Sequence, residues 1–316
     1  MTGAPTLIAR GLTRRFGSLL AVDGLDIEVQ RGEVLGFLGP NGAGKTTSIR
    51  MLCGLLRPDA GEVLLGGEPL GPAAHHRRRV GLCPQQVVVW DRLTCLEQLT
   101  FLGTMYEVPA SEARSRGESL LDRLGLSARA GALARTLSGG MQRRLNVALA
   151  LVHDPELVVL DEPEAGLDPQ SRVLVRDFIT ELAATKAVVL TTHNMDEAER
   201  IAGRVAIIDR GKVLCCNTPA QLVRELGEGD VVQVDLPGDA PLEGPLDRLR
   251  AAVAPAGATV AARAGGLSVT GRGAVCALAP LLSALAEVGL APVEVRLRRP
   301  TLEDVFLGLT GRRLRE

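Results

Sequence analysis

Nine consecutive residues restrict what this chain can fold into more than any other stretch: Gly39-Pro40-Asn41-Gly42-Ala43-Gly44-Lys45-Thr46-Thr47. They read G-x-x-x-x-G-K-T. A strand-like apolar run, Val34 to Leu38, leads in, and a helix-like run, Thr46 to Leu56, leads out. Glycines let a backbone turn sharply and bring its N–H groups close to phosphate oxygens. A helix starting there points its partially positive N-terminus at the same anion. Lys45 would reach the β- and γ-phosphates, and Thr46 would offer its hydroxyl to Mg²⁺. The plainer alternative is a Gly-rich turn that binds nothing. It fits poorly, because the whole chain contains only Lys45, Lys186 and Lys212 as lysines.

A chain of 316 residues can hold one large domain and a smaller one. A formal net charge of −1 gives no basic bias, so a nucleic-acid surface is not indicated. The local basic run His75-His76-Arg77-Arg78-Arg79 reads as a solvated helix face. Cysteines fall at 53, 83, 95, 215, 216 and 276 without metal-ligand spacing, and most sit in apolar surroundings, which suits buried thiols in a reducing cytosol. The N-terminus lacks a signal-peptide pattern, and no run approaches the roughly 18 apolar residues of a membrane span. A cytoplasmic chain is expected, with any membrane role supplied by another polypeptide.

Residues 7 to 35 alternate apolar and polar positions in two short runs broken at Phe16-Gly17, the pattern of an antiparallel edge. Phe16 either stacks on a purine base or is an ordinary core or strand-end phenylalanine. A turn at Arg57–Gly61 returns the chain to a strand at Glu62–Leu65, and Val80–Cys83 forms another, closed by Pro84-Gln85-Gln86. Val87 to Trp90 is apolar without alternation, and a core position is favoured over a patch covered by a partner. Thr94-x-x-Glu97 is a capping box that opens a helix through Tyr106, and residues 111 to 126 form an amphipathic helix.

Leu137-Ser138-Gly139-Gly140-Met141-Gln142 carries the next chemical signal. Ser138 is a good N-cap, and the Gly pair leaves the first N–H groups of the helix uncovered. The stretch is either a second anion site or a simple capped helix running to Val152. Leu157 to Pro163 reads as a buried parallel strand ending in Asp161 and Glu162. Carboxylates at such an edge sit where open α/β sheets bind ligands. Asp161 suits Mg²⁺, and Glu162 suits a base that polarises water. Ala187 to His193 forms a further strand. Its final histidine would face a γ-phosphate if that strand adjoins the one ending at Asp161. Asn194-x-x-Glu197 caps the next helix, 205–209 and 212–214 make a hairpin, and Pro219 starts a helix.

Composition shifts at about Gly227-Glu228-Gly229. Beyond it the expected order is strand 231–236, helix 245–253, strands 258–263 and 267–270, helix 274–288 and strand 291–297. This is βαββαβ, a ferredoxin-like arrangement. Thr301 then caps a last helix from Leu302, with Asp304 at its third position. Nothing in this segment has catalytic spacing, so regulation or assembly is its expected task.

Taken together, residues 7 to about 222 resemble the ATPase subunit of ABC transporters. Gly39–Thr47 is similar to its Walker A motif, Leu137–Gln142 to its signature motif, Leu157–Glu162 to Walker B, and Ala165–Asp168 to its D-loop. His193 matches the switch histidine and Phe16 the adenine-stacking aromatic. Gln85 is the better match to the Q-loop glutamine, with Gln86 second. Two departures stand out: Met141 occupies a usual glutamine position, and Glu164 stands where Ser or Thr is usual, which could alter hydrogen bonding across a dimer. The C-terminal stretch Arg299–Gly311 resembles the daunorubicin-export branch.

The resemblance implies an α/β P-loop NTPase domain over residues 1–224, with a helical subdomain at about 86–155. A small α+β ferredoxin-like domain would follow over 225–316. It also implies ATP and Mg²⁺, a second ATPase subunit, and a separate membrane permease at the cytoplasmic face. ATP would lie between Gly39–Thr47 of one subunit and Ser138, Gly139, Gly140 and Asp168 of the other. Glu162, His193 and Gln85 would be catalytic, and Thr46, Gln85 and Asp161 would hold the metal. An importer subunit or a soluble non-transport ATPase of the same type is the alternative.

Overall fold

Gly17, at φ 57°, turns the chain between β1 (Leu7–Phe16) and β2 (Leu19–Val29), which pair antiparallel from Leu7↔Val29 to Phe16↔Leu19. These coordinates, a computed structural model, describe residues 4–71, 74–226, 229–238, 244–263 and 265–310. The boundary cue Gly227-Glu228 and the terminal Gly311 of the export-type stretch lie outside the described residues. Next come β3 (Glu33–Leu38) and α1 (Lys45–Leu52). The helix-like run was expected to reach Leu56. Gly54 stops the helix early at φ 69°, and Leu55 N and Leu56 N both donate back to Arg50 O.

β4 (Ala60–Leu65) and β5 (Glu68–Pro69) complete an antiparallel sheet of order β2-β1-β4-β5. After α2 (Ala74–Arg78) come β6 (Val80–Cys83), α3 (Cys95–Met105), α4 (Ala110–Arg123) and α5 (Gly139–Leu149). Thr94 and Glu97 make both bonds of the capping box. The chain then runs through β7 (Leu157–Asp161), α6 (Pro169–Ala183), β8 (Ala187–Thr191), α7 (Met195–Ile201), β9 (Arg204–Asp209), β10 (Lys212–Asn217) and α8 (Pro219–Leu226). The second sheet has the order β10-β9-β3-β8-β7-β6 and is parallel except for β10. Val158, Val159, Val188 and Val189 are fully buried, as expected for parallel strands covered on both faces. One core lies between the two sheets, with Ile49, Met51 and Leu52 of α1. The other lies under α3, α4, α5 and α6.

Two corrections arise here. Sequence reasoning passed over α6, whose N-cap is Asp168 with Pro169 in the first turn. Val87, Val88 and Trp90 are 40, 57 and 40% exposed, so these three are surface, while Val89 alone of the segment packs against the helical core.

The chain divides between Pro219 and Ala220 into two compact units. The second contains β11 (Val231–Asp235), α9 (Leu246–Val253), β12 (Thr259–Arg263), β13 (Gly266–Thr270), α10 (Leu278–Glu287), β14 (Glu294–Arg298) and α11 (Leu302–Thr310). Its sheet order β12-β13-β11-β14 is antiparallel throughout, the ferredoxin-like arrangement of a βαββαβ chain. Val232, Val234, Leu267 and Val269 pack with Leu249, Leu281 and Leu285 of α9 and α10. Among the described residues no helix is long and apolar enough to cross a membrane.

Candidate nucleotide site

Because β3, β8 and β7 are parallel neighbours, their carboxyl ends meet at one edge of the sheet. The loop Gly39–Gly44 leaves β3 there, Asp161 and Glu162 end β7, and His193 follows β8. Asp161 and Thr191 are direct register partners, so the condition that placed His193 near a γ-phosphate is met.

The loop's shape depends on its glycines. A side chain at Gly39 would strike Ile208 O, and one at Gly44, at φ 100°, would strike Ala21 O. Gly42, at φ 78°, faces open space. No side chain caps α1 and no acid occupies its first turn, so its leading N–H groups are left for an anion. Lys45 Nζ curls over the loop, donating to Gly39 O at 2.5 Å and Pro40 O at 3.0 Å. Burial pulls the Lys45 ammonium below its usual range, and the Glu162 and Asp161 carboxylates pull it back up. A narrow cradle of amides with one lysine fits a polyphosphate. Asn41, Gly42 and Thr46 are exposed, while Gly39, Pro40 and Ala43 are buried beneath them. Thr47, like Lys45, is half-buried.

Glu162 is the hub of the facing edge. Its Oε2 accepts from Gln85 Nε2 at 3.1 Å, and its Oε1 lies 3.1 Å from His193 Nδ1. The three catalytic candidates thus converge. Gln85, and not Gln86, makes the contact. Asp161 accepts from Thr191 Oγ1. Thr46, Gln85 and Asp161 offer oxygen donors of the kind a hard cation takes. No cluster of three or more His, Cys, Asp or Glu stands ready for a metal among the described residues.

Ser138 caps α5, its Oγ accepting from Met141 N at 3.3 Å. Ser138 and Gly139 are exposed, and none of their hydrogen bonds reaches the phosphate loop among the described residues. Met141, half-buried, packs against the helical core. Glu164 is buried at 6% exposure, with Arg176 Nη2 3.4 Å from its carboxylate. Asp168 accepts from Gln170 N, Ser171 N and Ser171 Oγ as the cap of α6. Phe16 ends β1 and is 47% exposed under the Arg14 guanidinium, which excludes a core position and leaves base stacking or a plain strand-end residue.

The profile of the ABC transporter family matches residues 22–165. The Nod factor export ATP-binding protein I of Ralstonia nicotianae is 40% identical to the chain, covering 99% of it and 96% of that relative. The chain belongs to the ATP-binding subunits of ABC transporters. The daunorubicin resistance ATP-binding protein DrrA3 of Streptomyces coeruleorubidus is 40% identical, covering 97% of the chain and 96% of the relative. The linearmycin resistance ATP-binding protein LnrL of Bacillus subtilis is 34% identical, over 98% and 100%. A solved ATP-binding subunit of an ABC transporter superposes with TM-score 0.65 at 28% identity, covering 70% of this chain and 92% of that one. As an ABC ATPase subunit the chain binds ATP and hydrolyses it to energise transport.

One contributor escaped sequence reasoning. Arg143 of α5, buried at 3% exposure, bonds the carbonyls of Pro84, Gln85, Asp161, Glu162 and Pro163. A basic residue following the signature stretch was the only available cue.

Proposed function

We propose that this subunit drives export, working as an ATP-dependent head-to-tail dimer against a separate membrane permease at the cytoplasmic face. The carrying observation is Glu162, held between Gln85 and His193 at the sheet edge that presents the phosphate loop. Lys45 and the amides of Gly39–Thr47 bind and neutralise the triphosphate. Glu162 takes up a proton from the attacking water while His193 and Gln85 fix its carboxylate in place. When bound through Thr46, Asp161 and Gln85, Mg²⁺ supplies further neutralisation of phosphate charge. Phe16 stacks on the base.

Exposure of Ser138 and Gly139 supports their use by a partner. Two helix N-termini and a lysine then converge on one polyphosphate, whose charge holds the protomers together. Asp168, already committed to its helix, lines that interface through its turn. The exposed Val87, Val88 and Trp90 support the permease contact. Val88 and Trp90 border a cavity of about 320 Å³ that reaches Tyr106, Asn146 and His153. Export as the direction rests on the names of the relatives. For the second unit, assembly or regulation is our reading.

Light scattering tests the clasp. Glu162→Gln should form a dimer with ATP. Adding Ser138→Arg should leave a monomer that still binds ATP. Dimerisation of the doubly substituted chain would overturn the head-to-tail arrangement.

A further inference from the structure

The least ordinary buried group lies behind the site. Arg143 is 3% exposed, yet no carboxylate stands within ion-pair distance of it among the described residues. Its charge is satisfied by main-chain carbonyls from two segments. Nη1 donates to Pro84 O and Gln85 O at 2.8 Å each. Nη2 donates to Asp161 O and Glu162 O at 2.5 Å each, and Nε to Pro163 O at 3.3 Å. A planar fork with five donors can serve that many acceptors at once, and no other side chain can.

What this fork holds is unusual backbone. Glu162 has φ 50°, a left-handed conformation that a side chain disfavours. Its amide is pinned from the other side, donating to Thr191 O at 3.1 Å and Thr191 Oγ1 at 3.0 Å. With Arg143 on the carbonyl and Thr191 on the amide, the peptide units flanking Glu162 are fixed. The same guanidinium holds the backbone of Gln85, whose side chain meets the Glu162 carboxylate at 3.1 Å. Left-handed non-glycine residues persist only where their surroundings over-determine them, and they gather at working sites.

We propose that Arg143 is a positioning residue for ATP hydrolysis: its five carbonyl bonds hold Glu162 in the left-handed turn and lock the Gln85 segment to it, aiming the carboxylate at the attacking water. Arg143 touches neither substrate nor water. It acts through the backbone, from the helix that Ser138 caps, five residues along. The proposal rests on Glu162 being the base.

The test is steady-state hydrolysis by Arg143→Lys in the full chain. An ammonium is a point donor and cannot reach both segments. The expected result is a split: kcat falls by roughly 10²-fold, as for a misplaced catalytic group, while KM for ATP stays within about threefold. In a Glu162→Gln background the same substitution should cost almost nothing further, since the carboxylate it aims is gone. Arg143→Ala with added guanidinium ion provides the second measurement. Turnover restored by guanidinium and not by equal sodium chloride supports the proposal.

Unchanged kcat in Arg143→Lys overturns it, as does a full additional loss on top of Glu162→Gln. A folded Arg143→Ala chain that guanidinium does not rescue overturns it too. A chain that merely unfolds without guanidinium and refolds with it assigns Arg143 to stability alone, which also sinks the idea. Failure of the underlying reading is distinguishable: Glu162→Gln by itself would then hydrolyse ATP at the wild-type rate, whatever Arg143→Lys does.

Discussion

Glu162 and Glu164 are two residues apart and chemically identical, but their surroundings give them different work. Glu162 opens onto the edge of the sheet where the phosphate loop leaves β3, with a polar neighbour on each oxygen, Gln85 on one and His193 on the other. Glu164 is buried beside Glu197, which is 7% exposed. Arg176 reaches one oxygen of Glu164, and Thr192 Oγ1 donates to Glu197 Oε2. The remaining Oε1 atoms of both glutamates have no hydrogen-bond partner. Two facing acceptors without a donor need a proton between them. Burial, with the Glu164 carboxylate alongside, pushes Glu197 up to about 8. The acid proposed as the base at Glu162 and a buried glutamate held toward its protonated form at Glu197 are thus set apart by environment alone.

The comparison breaks first on rate. Glu162→Gln should lower ATP turnover by about 10² to 10⁴-fold, the usual contribution of a positioned base. Glu164→Gln should stay within a few-fold of wild type, because an amide donates to Glu197 in place of the shared proton. Steady-state phosphate release measures both. Equal losses in the two variants would erase the distinction between the residues.

The next effect is on stability against pH. The folded value of Glu197, about 8, lies above the 4.5 of an ordinary glutamate. Across that interval the folded chain binds a proton that the unfolded chain has released, so stability falls as pH rises. The contribution is complete below about 4.5 and gone above about 8, with an upper limit of about 5 kcal/mol from a shift of this size. Thermal melts from pH 5 to 9 should show this loss in wild type and a flatter profile in Glu197→Gln. Parallel profiles would show that the pair carries no proton.

How legible was this contrast in the sequence? The phosphate loop, the Thr94 capping box and the strand ending at Asp161 and Glu162 are local patterns, each contained within a few residues. They can be read without knowing the fold. The order βαββαβ was readable for the same reason, since each element has its own periodicity, while the register of β11 against β14 depends on distant pairing. Val87 to Trp90 shows the limit of apolarity, which says that a surface wants covering but not whether the chain itself covers it. Glu164 stood out in the sequence only as a departure from Ser or Thr that could alter hydrogen bonding across a dimer. Only Arg176 and Glu197, 12 and 33 positions away, turn it inward. Arg143 is the extreme case, because its acceptors near positions 84 and 162 are brought to it by the sheet. Asp168-Pro169, by contrast, is a helix-start signature that stood in plain sight.

Asp168 sharpens the comparison with a third carboxylate in the same turn. Its side chain is exposed, unlike that of Glu164, and it caps α6, unlike that of Glu162. The Ser171 hydroxyl, with the amides of Ser171 and Gln170, holds its carboxyl below the usual carboxylate range. A depressed folded value means stabilisation that is present above the unfolded value and lost as pH falls through the folded one. Asp168→Ala removes the cap and should lower Tm by roughly 2 °C at neutral pH. Asp168→Asn, which keeps an accepting oxygen at the cap, should lose less. The difference between wild type and Asp168→Asn should close in acid, where the carboxyl is protonated and no longer an anion at a helix N-terminus. A gap that persists unchanged into acid would mean that the charge of Asp168 does no work on this helix.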